Sequence, residues 1–461
     1  MFERSRNRFL RIAALGAALS LAGACGEKKA PEPPAPTTPP AETATVAPPA
    51  ETATVAPPAE ADAAAPAPAE ADAGAAVAPP AAGEPVEIVL WHSYRAGEQE
   101  AFDKVVEQYN TSQNEVRIRS QAIPYDPFVD KITITVPRGQ GPDLFIFAHN
   151  MIGNWVEQGV LEPLSGLVDG EALKQFTPDS VKALVYRKNL YGLPLAFKSL
   201  VLFYNKKLVP TPPATMEELI AKAKELQTEE RPGLVYQAGG LYFHSMWIHA
   251  FGGVVFDDNH VPAFDTQAHV DALKYVRALH AEHKILPKGI SGFMVTSLFN
   301  DGNAPFVFNG PWFRPEIVES DKLAYGIAQI PPLADGKTPK PMLGVEALFI
   351  TKTSTKKEAA LKAALFLAGA ESAGVRMRVG KQPVCHAATL EAGAAEDETM
   401  KVFMEQAKNA VLMDASPEMQ LLWTPADIAI AAGIFVEDRD PAAELKKAQE
   451  KMVGDIAKRG K

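Results

Sequence analysis

The sequence predicts an α/β fold of doubly wound sheets, on three observations. Residues 86–91 (VEIVLW) are apolar on both faces, as a central parallel strand is. From there to residue 160, strand and helix periods alternate. A second series of strands and amphipathic helices then runs from residue 200 to the end of the chain. At 461 residues the chain is long enough for two or three domains.

In order, 86–91 is the first strand, and 97–109 is a helix carrying Phe102, Val105, Val106 and Tyr109 on one face. Residues 116–123 alternate as a second strand and 125–136 form a second helix. The stretch 141–150 (GPDLFIFAHN) is a third strand ending in polar residues, with a helix through Trp155 after it. Residues 190–195 lead to an apolar strand at 200–205, and Thr215 with Glu218 forms a capping box opening the helix 215–227. An aromatic-rich stretch, 239–251, ends at Gly252-Gly253, and 266–283 is amphipathic. Strands follow at 304–308, 325–330 and 344–351, and helices at 356–367, 399–410, 421–434 and 441–457.

The stretch 298–317 (LFNDGNAPFVFNGPWFRPEI) holds the centre of this pattern. A helix ends, a turn at Asn300–Asn303 follows, a buried strand runs through 304–308, and Pro311 opens a new helix, where its missing N–H costs nothing. Trp312 thus stands at the carboxyl end of a strand, where open α/β sheets bind ligands. Its ring is either a core plug or a stacking platform.

Both the start and the composition of the chain give it an address. Arg4, Arg6, Arg8 and Arg11 precede an apolar run too short to span a bilayer, and Ala22-Gly23-Ala24 leads to Cys25. That reads as a secretory signal of the bacterial lipoprotein kind, with Cys25 as the lipidated residue and Ala22 where Leu is usual. Residues 27–85 repeat AETATVAPP and hold nine acidic side chains against two lysines, with no aromatic residue, so they form a disordered tether. The net charge of −10 leaves no basic face for nucleic acid. Only Cys25 and Cys385 are present, and Cys385 beside His386 is more simply a buried thiol than a nucleophile.

Five stretches in this order are similar to the extracellular solute-binding proteins of ABC importers, family 1, nearest the maltose- and maltodextrin-binding proteins: 141–164, 190–219, 251–256 (FGGVVF), 299–313 and 343–351 (LGVEALFIT). The resemblance covers essentially all of 86–461. It implies a two-lobed periplasmic-binding-protein fold of type II, its sheets joined by hinge segments near Ala196–Leu200, Leu343–Ala347 and Glu391–Thr399. The expected layout is a signal at 1–25, a tether at 26–85, a first lobe of 86–196 and 347–392, and a second of 200–343 and 399–461.

The resemblance also implies a maltose- or maltodextrin-type sugar in the cleft, handed to permease subunits by a membrane-anchored monomer in the periplasm or cell envelope. No cofactor, metal or turnover is expected. Trp312, Tyr242 and Trp423 match the family's stacking aromatics, Phe147 its first-lobe aromatic, and Asn150 a position usually acidic. Arg95 and Lys198 stand where the relatives carry carboxylates, and Asp427 where they carry Arg. A Lys198–Asp427 pair would preserve that interaction with its signs exchanged. Arg95 and Lys198 are either solvated surface charges or a sign of an anionic sugar, since Arg matches carboxylate geometry. His149 and Glu346 are further candidates.

No G-x-S-x-G, P-loop, G-x-G-x-x-G or H-E-x-x-H motif occurs. His280 and His283 read as a solvated helix end, and His244 and His249 as packed or rim residues. A glycosidase would need only two suitably spaced carboxylates, and no pair stands out.

Overall fold

The chain enters its first sheet at β1 (Val86–His92), whose neighbours β2 (Val116–Ala122) and β3 (Leu144–Ala148) both run parallel to it. This computed structural model describes residues 84–459, all within one unit, Val77–Lys461. The expected signal, Cys25 and almost all of the tether lie outside the described residues.

After β3 come a small hairpin, β4 (Val185–Tyr186) and β5 (Asn189–Leu190), and then β6 (Gly192–Lys198). Three strands form a second, antiparallel sheet: β7 (Val201–Asn205) between β8 (Phe306–Asn309) and β9 (Tyr325–Ala328). The chain then returns to the first sheet as β10 (Met342–Ile350), antiparallel to β3 and β6 and parallel to the short β11 (Val411–Leu412). The order is β11-β10-β3-β1-β2, with β6 on β10. Two sheets flanked by helices make the two-lobed architecture of type II periplasmic binding proteins.

Alternation explains how the smaller sheet is held. Val201, Phe203 and Val307 enter one apolar cluster, which continues under the first sheet, while Leu202, Tyr204, Phe306 and Phe308 enter a second. Strands buried on both faces must read as continuous apolar runs, as these do. The chain passes from one sheet to the other through Ser199 and Leu200, which lie between β6 and β7. Where β10 lies against β6 its register shifts between Glu346 and Ala347. A further junction lies at Asp397, between the helices Ala387–Glu396 and Glu398–Lys408, where Asp397 Oδ1 accepts the Thr399 N–H at 2.8 Å.

Some local expectations are corrected. Pro311–Glu316 is a 3-10 turn, closed by Phe313 N–H to Gly310 O at 3.1 Å and Ile317 N–H to Arg314 O at 3.2 Å. Pro315 has no N–H to continue an α-helix. In the capping box, Thr215 accepts the Glu218 N–H, but the Glu218 carboxylate reaches back to the N–H of Ala214, not Thr215. His280 is not a solvated end: its Nδ1 bonds Leu286 O at 2.8 Å and its ring meets Phe435 edge-on at 5.0 Å. His244 and His269 are buried, as is Cys385 under the first sheet, where burial pushes its thiol up to about 12.

Candidate ligand-binding site

Lys198, the last residue of β6, and Glu346, in the middle of β10, lie where the chain passes between the sheets. They do not meet the solvent as free charges. Lys198 Nζ is 2.7 Å from Glu98 Oε1 and 3.8 Å from Glu346 Oε2. The Tyr94 hydroxyl donates to Glu346 Oε2 at 2.7 Å, and Gln382 Nε2 donates to Glu98 Oε1 at 3.1 Å. Beneath them the buried Arg376 guanidinium donates to Leu195 O at 3.0 Å.

Two carboxylates and two cations share this enclosed floor, so the charges balance. Burial alone would lower the Lys198 pKa, but Glu346 and Glu98 outweigh it and hold the ammonium above its ordinary range. Glu346 is pushed up, first by burial, which Lys198 only partly offsets and Glu98 reinforces. Lys198 is therefore not a surface charge, and it does not pair with Asp427. Asp427 instead accepts the Leu241 N–H at 2.6 Å, capping the helix Leu241–Ala250. Burial raises its pKa, and that hydrogen bond opposes the shift.

The aromatic candidates divide. Trp312 is half-buried against both apolar clusters, its ring centroid 6.0 Å from that of Tyr242 at 54°. The ring folds back over Gly310, where a Cβ would come within 2.1 Å of it, so only glycine fits ahead of this Trp. The Tyr242 hydroxyl is buried without a hydrogen-bond partner among the described residues. Trp423 is half-buried against the second cluster, one turn before Asp427 on the helix Met419–Phe435. Phe147 is different: it is buried, stacked on Phe128 at 4.9 Å and 13°, and on its other side meets Tyr125 at 5.0 Å and 24°. The exposed ring of that stack is Tyr125.

His149 serves the scaffold. The Val345 N–H donates to His149 Nδ1 at 2.9 Å, so Nε2 carries the proton and donates to Met413 O, also at 2.9 Å. This neutral ring fastens β10 to the segment after β11, and burial keeps its pKa low. Asn150 is buried, and its main-chain carbonyl accepts from Gln420 Nε2 at 2.8 Å.

Arg95 is occupied. Its Nε and Nη2 lie 2.7 and 2.6 Å from Glu316 Oε1, while Glu316 Oε2 accepts from Thr296 Oγ1 at 3.0 Å. The pair ties the end of β1 to the turn after Trp312, with side-chain exposures of 62% and 20%. Exposed pairs are worth about 0.2–1 kcal/mol. Arg95→Ala is accordingly expected to weaken ligand binding by less than about fivefold. It should also remove part of the salt dependence of binding, measured by titration across an ionic-strength series.

Glu98, Tyr94, Tyr125 and Glu316 escaped the sequence reading. Glu98 looks like any acid in a first helical turn, and Glu316 like any surface carboxylate. Tyr125 opens a helix of ordinary composition. The one available signal was an aromatic at a helix start directly after a parallel strand, the place where such folds bind ligands.

A family model, bacterial extracellular solute-binding protein, matches residues 95–374. The chain belongs to that family. This solute-binding protein is 29% identical over 379 residues to the maltotriose-binding protein of Pyrococcus abyssi, covering 80% of this chain and 82% of the relative. It is 27% identical to the galactooligosaccharide-binding protein of Bacillus subtilis, covering 75% and 84%. Its fold matches the maltotriose binding protein of Thermus thermophilus, solved with maltotriose, at a TM-score of 0.72 and 26% identity, over 80% of this chain and all of that one. These relatives of the solute-binding protein are binding proteins, not enzymes. No helix among its described residues is long and apolar enough to cross a membrane.

Proposed function

We propose that this chain is the substrate-binding component of a carbohydrate ABC importer, taking a neutral maltose- or maltodextrin-type oligosaccharide between its lobes. The observation that carries this is the Trp312–Tyr242 pair, on the turn after β8 and the helix Leu241–Ala250, together with a charge-balanced cluster on the larger sheet. Apolar sugar faces stack on aromatic rings, and hydroxyls pair with fixed carboxylates and phenols. Arg95 is neutralised by Glu316 and the floor carries no excess cation, which argues against an anionic sugar. The Pyrococcus and Thermus relatives, named for maltotriose, supply the ligand class.

In this reading 86–196 with 347–392 forms the first lobe and 200–343 with 399–461 the second. The three hinges lie near Ala196–Leu200, Leu343–Ala347 and Glu391–Thr399. Ligand that touches both lobes stabilises the closed form, because only there are all its contacts made. The closed monomer then docks on the permease. Cys25 anchors it by lipid at the cell envelope, on the tether 26–85.

Titration with maltotriose, followed by calorimetry, tests the reading. Trp312→Ala should weaken binding by roughly ten- to a hundredfold while the chain stays folded by circular dichroism. Equal affinity in the variant would remove the cleft from the proposal. Turnover of the bound sugar would replace transport with catalysis.

A further inference from the structure

Tyr125 begins the helix Tyr125–Thr135, and its side chain is 56% exposed, unusual for an aromatic ring so firmly held. The ring is the outer member of a three-ring stack, Phe128–Phe147–Tyr125, whose inner two members are buried. Phe147 pairs in register with Ala347, so the stack stands at the same end of the sheet as Glu346 but on the opposite face. Glu346 and Lys198 both act on the Tyr125 hydroxyl, which is raised first by desolvation and then by Glu346, and Tyr125 in turn acts on Tyr242. A rigidly backed and largely open ring thus stands at this end of the larger sheet, and an unpartnered phenol stands beside Trp312 on the helix Leu241–Ala250.

An exposed aromatic costs little where it is and gains most when another flat apolar surface covers it. The stack fixes its orientation, so little rotamer freedom is lost on binding.

We infer that Tyr125 is the first-lobe aromatic contact of the bound oligosaccharide, stacking on one sugar ring while the hydroxyl of Tyr242 pairs with that ligand from the other lobe. Phe147 acts only as the backing for that ring. The inference rests on the sugar-binding reading above and assigns to it a side chain that the sequence resemblance does not single out. It also accounts for the unpartnered Tyr242 hydroxyl, whose missing partner is a ligand hydroxyl.

Calorimetric titration of the whole chain and three variants with maltose, maltotriose and a galactooligosaccharide tests it, with thermal melting as the check on folding. Tyr125→Ala should lose roughly tenfold or more in affinity for the sugar the wild type binds, at an unchanged melting temperature. Tyr125→Trp, which restores a stacking ring, should bind within roughly threefold of wild type, and Tyr242→Phe should lose a few-fold. If wild type binds a sugar and Tyr125→Ala binds it within twofold, the Tyr125 assignment is overturned and the sugar reading stands. If wild type binds none of the three, the sugar reading fails and the assignment falls with it.

Discussion

Lys198→Met is expected to destabilise the protein by about 3–5 kcal/mol, the largest single-residue effect anticipated here. Lys198 is the nearest cation to Glu98 and Glu346, at 2.7 and 3.8 Å, and all three side chains are at least four-fifths buried. Removing it leaves two adjacent carboxylates in an environment that already pushes Glu346 up. Neither can return to water without opening the junction between the sheets. The pair itself adds little over an apolar substitute, so the loss comes from the stranded charges. Glu98→Gln in the same chain should recover much of it. Denaturant unfolding of wild type, the two single variants and the double variant measures this coupling. Full additivity would show that Lys198 does not carry the carboxylates.

That cluster also marks where the sequence stops being legible. Lys198 and Glu98 are 100 residues apart, and nothing local to either identifies its partner. Sequence resemblance pointed to Asp427, because position-by-position comparison preserves places but not rotamers. The strands were readable because those buried on both faces must be continuously apolar, as in β3 and β7. The same property hid the role of Phe147. In a strand apolar on every residue, period two no longer says which side chain faces a cleft, and the exposed ring of the stack is Tyr125, on the helix that precedes the strand. Trp312 was legible because Gly310 and Pro311 fix its surroundings within three residues. The helices Ala370–Arg378 and Ala387–Glu396 were missed because they pack through small residues. A Cβ on Gly393 would meet Met377 Sδ at 2.2 Å, so the contact has no apolar stripe to announce it.

Acid should destabilise the protein steeply through buried histidines. His244 and His269 are each brought down to about 3 by burial, against 6.5 for an unperturbed imidazole. Both ring nitrogens of His244, and Nε2 of His269, have no hydrogen-bond partner among the described residues. With the folded values depressed, the unfolded chain takes up protons first. The stability these groups contribute is complete above about pH 6.5 and is lost as pH falls toward 3. Each costs about 1.4 kcal/mol per pH unit in that window, so the two together cost roughly 2.7. His92, lowered to about 4, adds to the slope over the upper part of the window. His244→Leu should remove about one imidazole's share of the slope between pH 6 and 4, and should not lower stability at neutral pH. The check is the denaturation midpoint of both proteins at half-unit pH steps. Parallel pH profiles would mean that His244 takes up its proton as readily in the folded protein as in the unfolded chain.

The central claim is that a sugar closes the two lobes. Spin labels on Glu171→Cys in the first lobe and Lys288→Cys in the second, both exposed positions, would report the distance between them. Cys385 is buried, with its thiol near 12, and does not compete for label; Cys25 is replaced by Ser for the experiment. With saturating maltotriose the account predicts a shift of the distance distribution to one narrow population, and a reduced shift in Trp312→Ala at the same sugar concentration. Saturable binding with an unchanged distribution would contradict it.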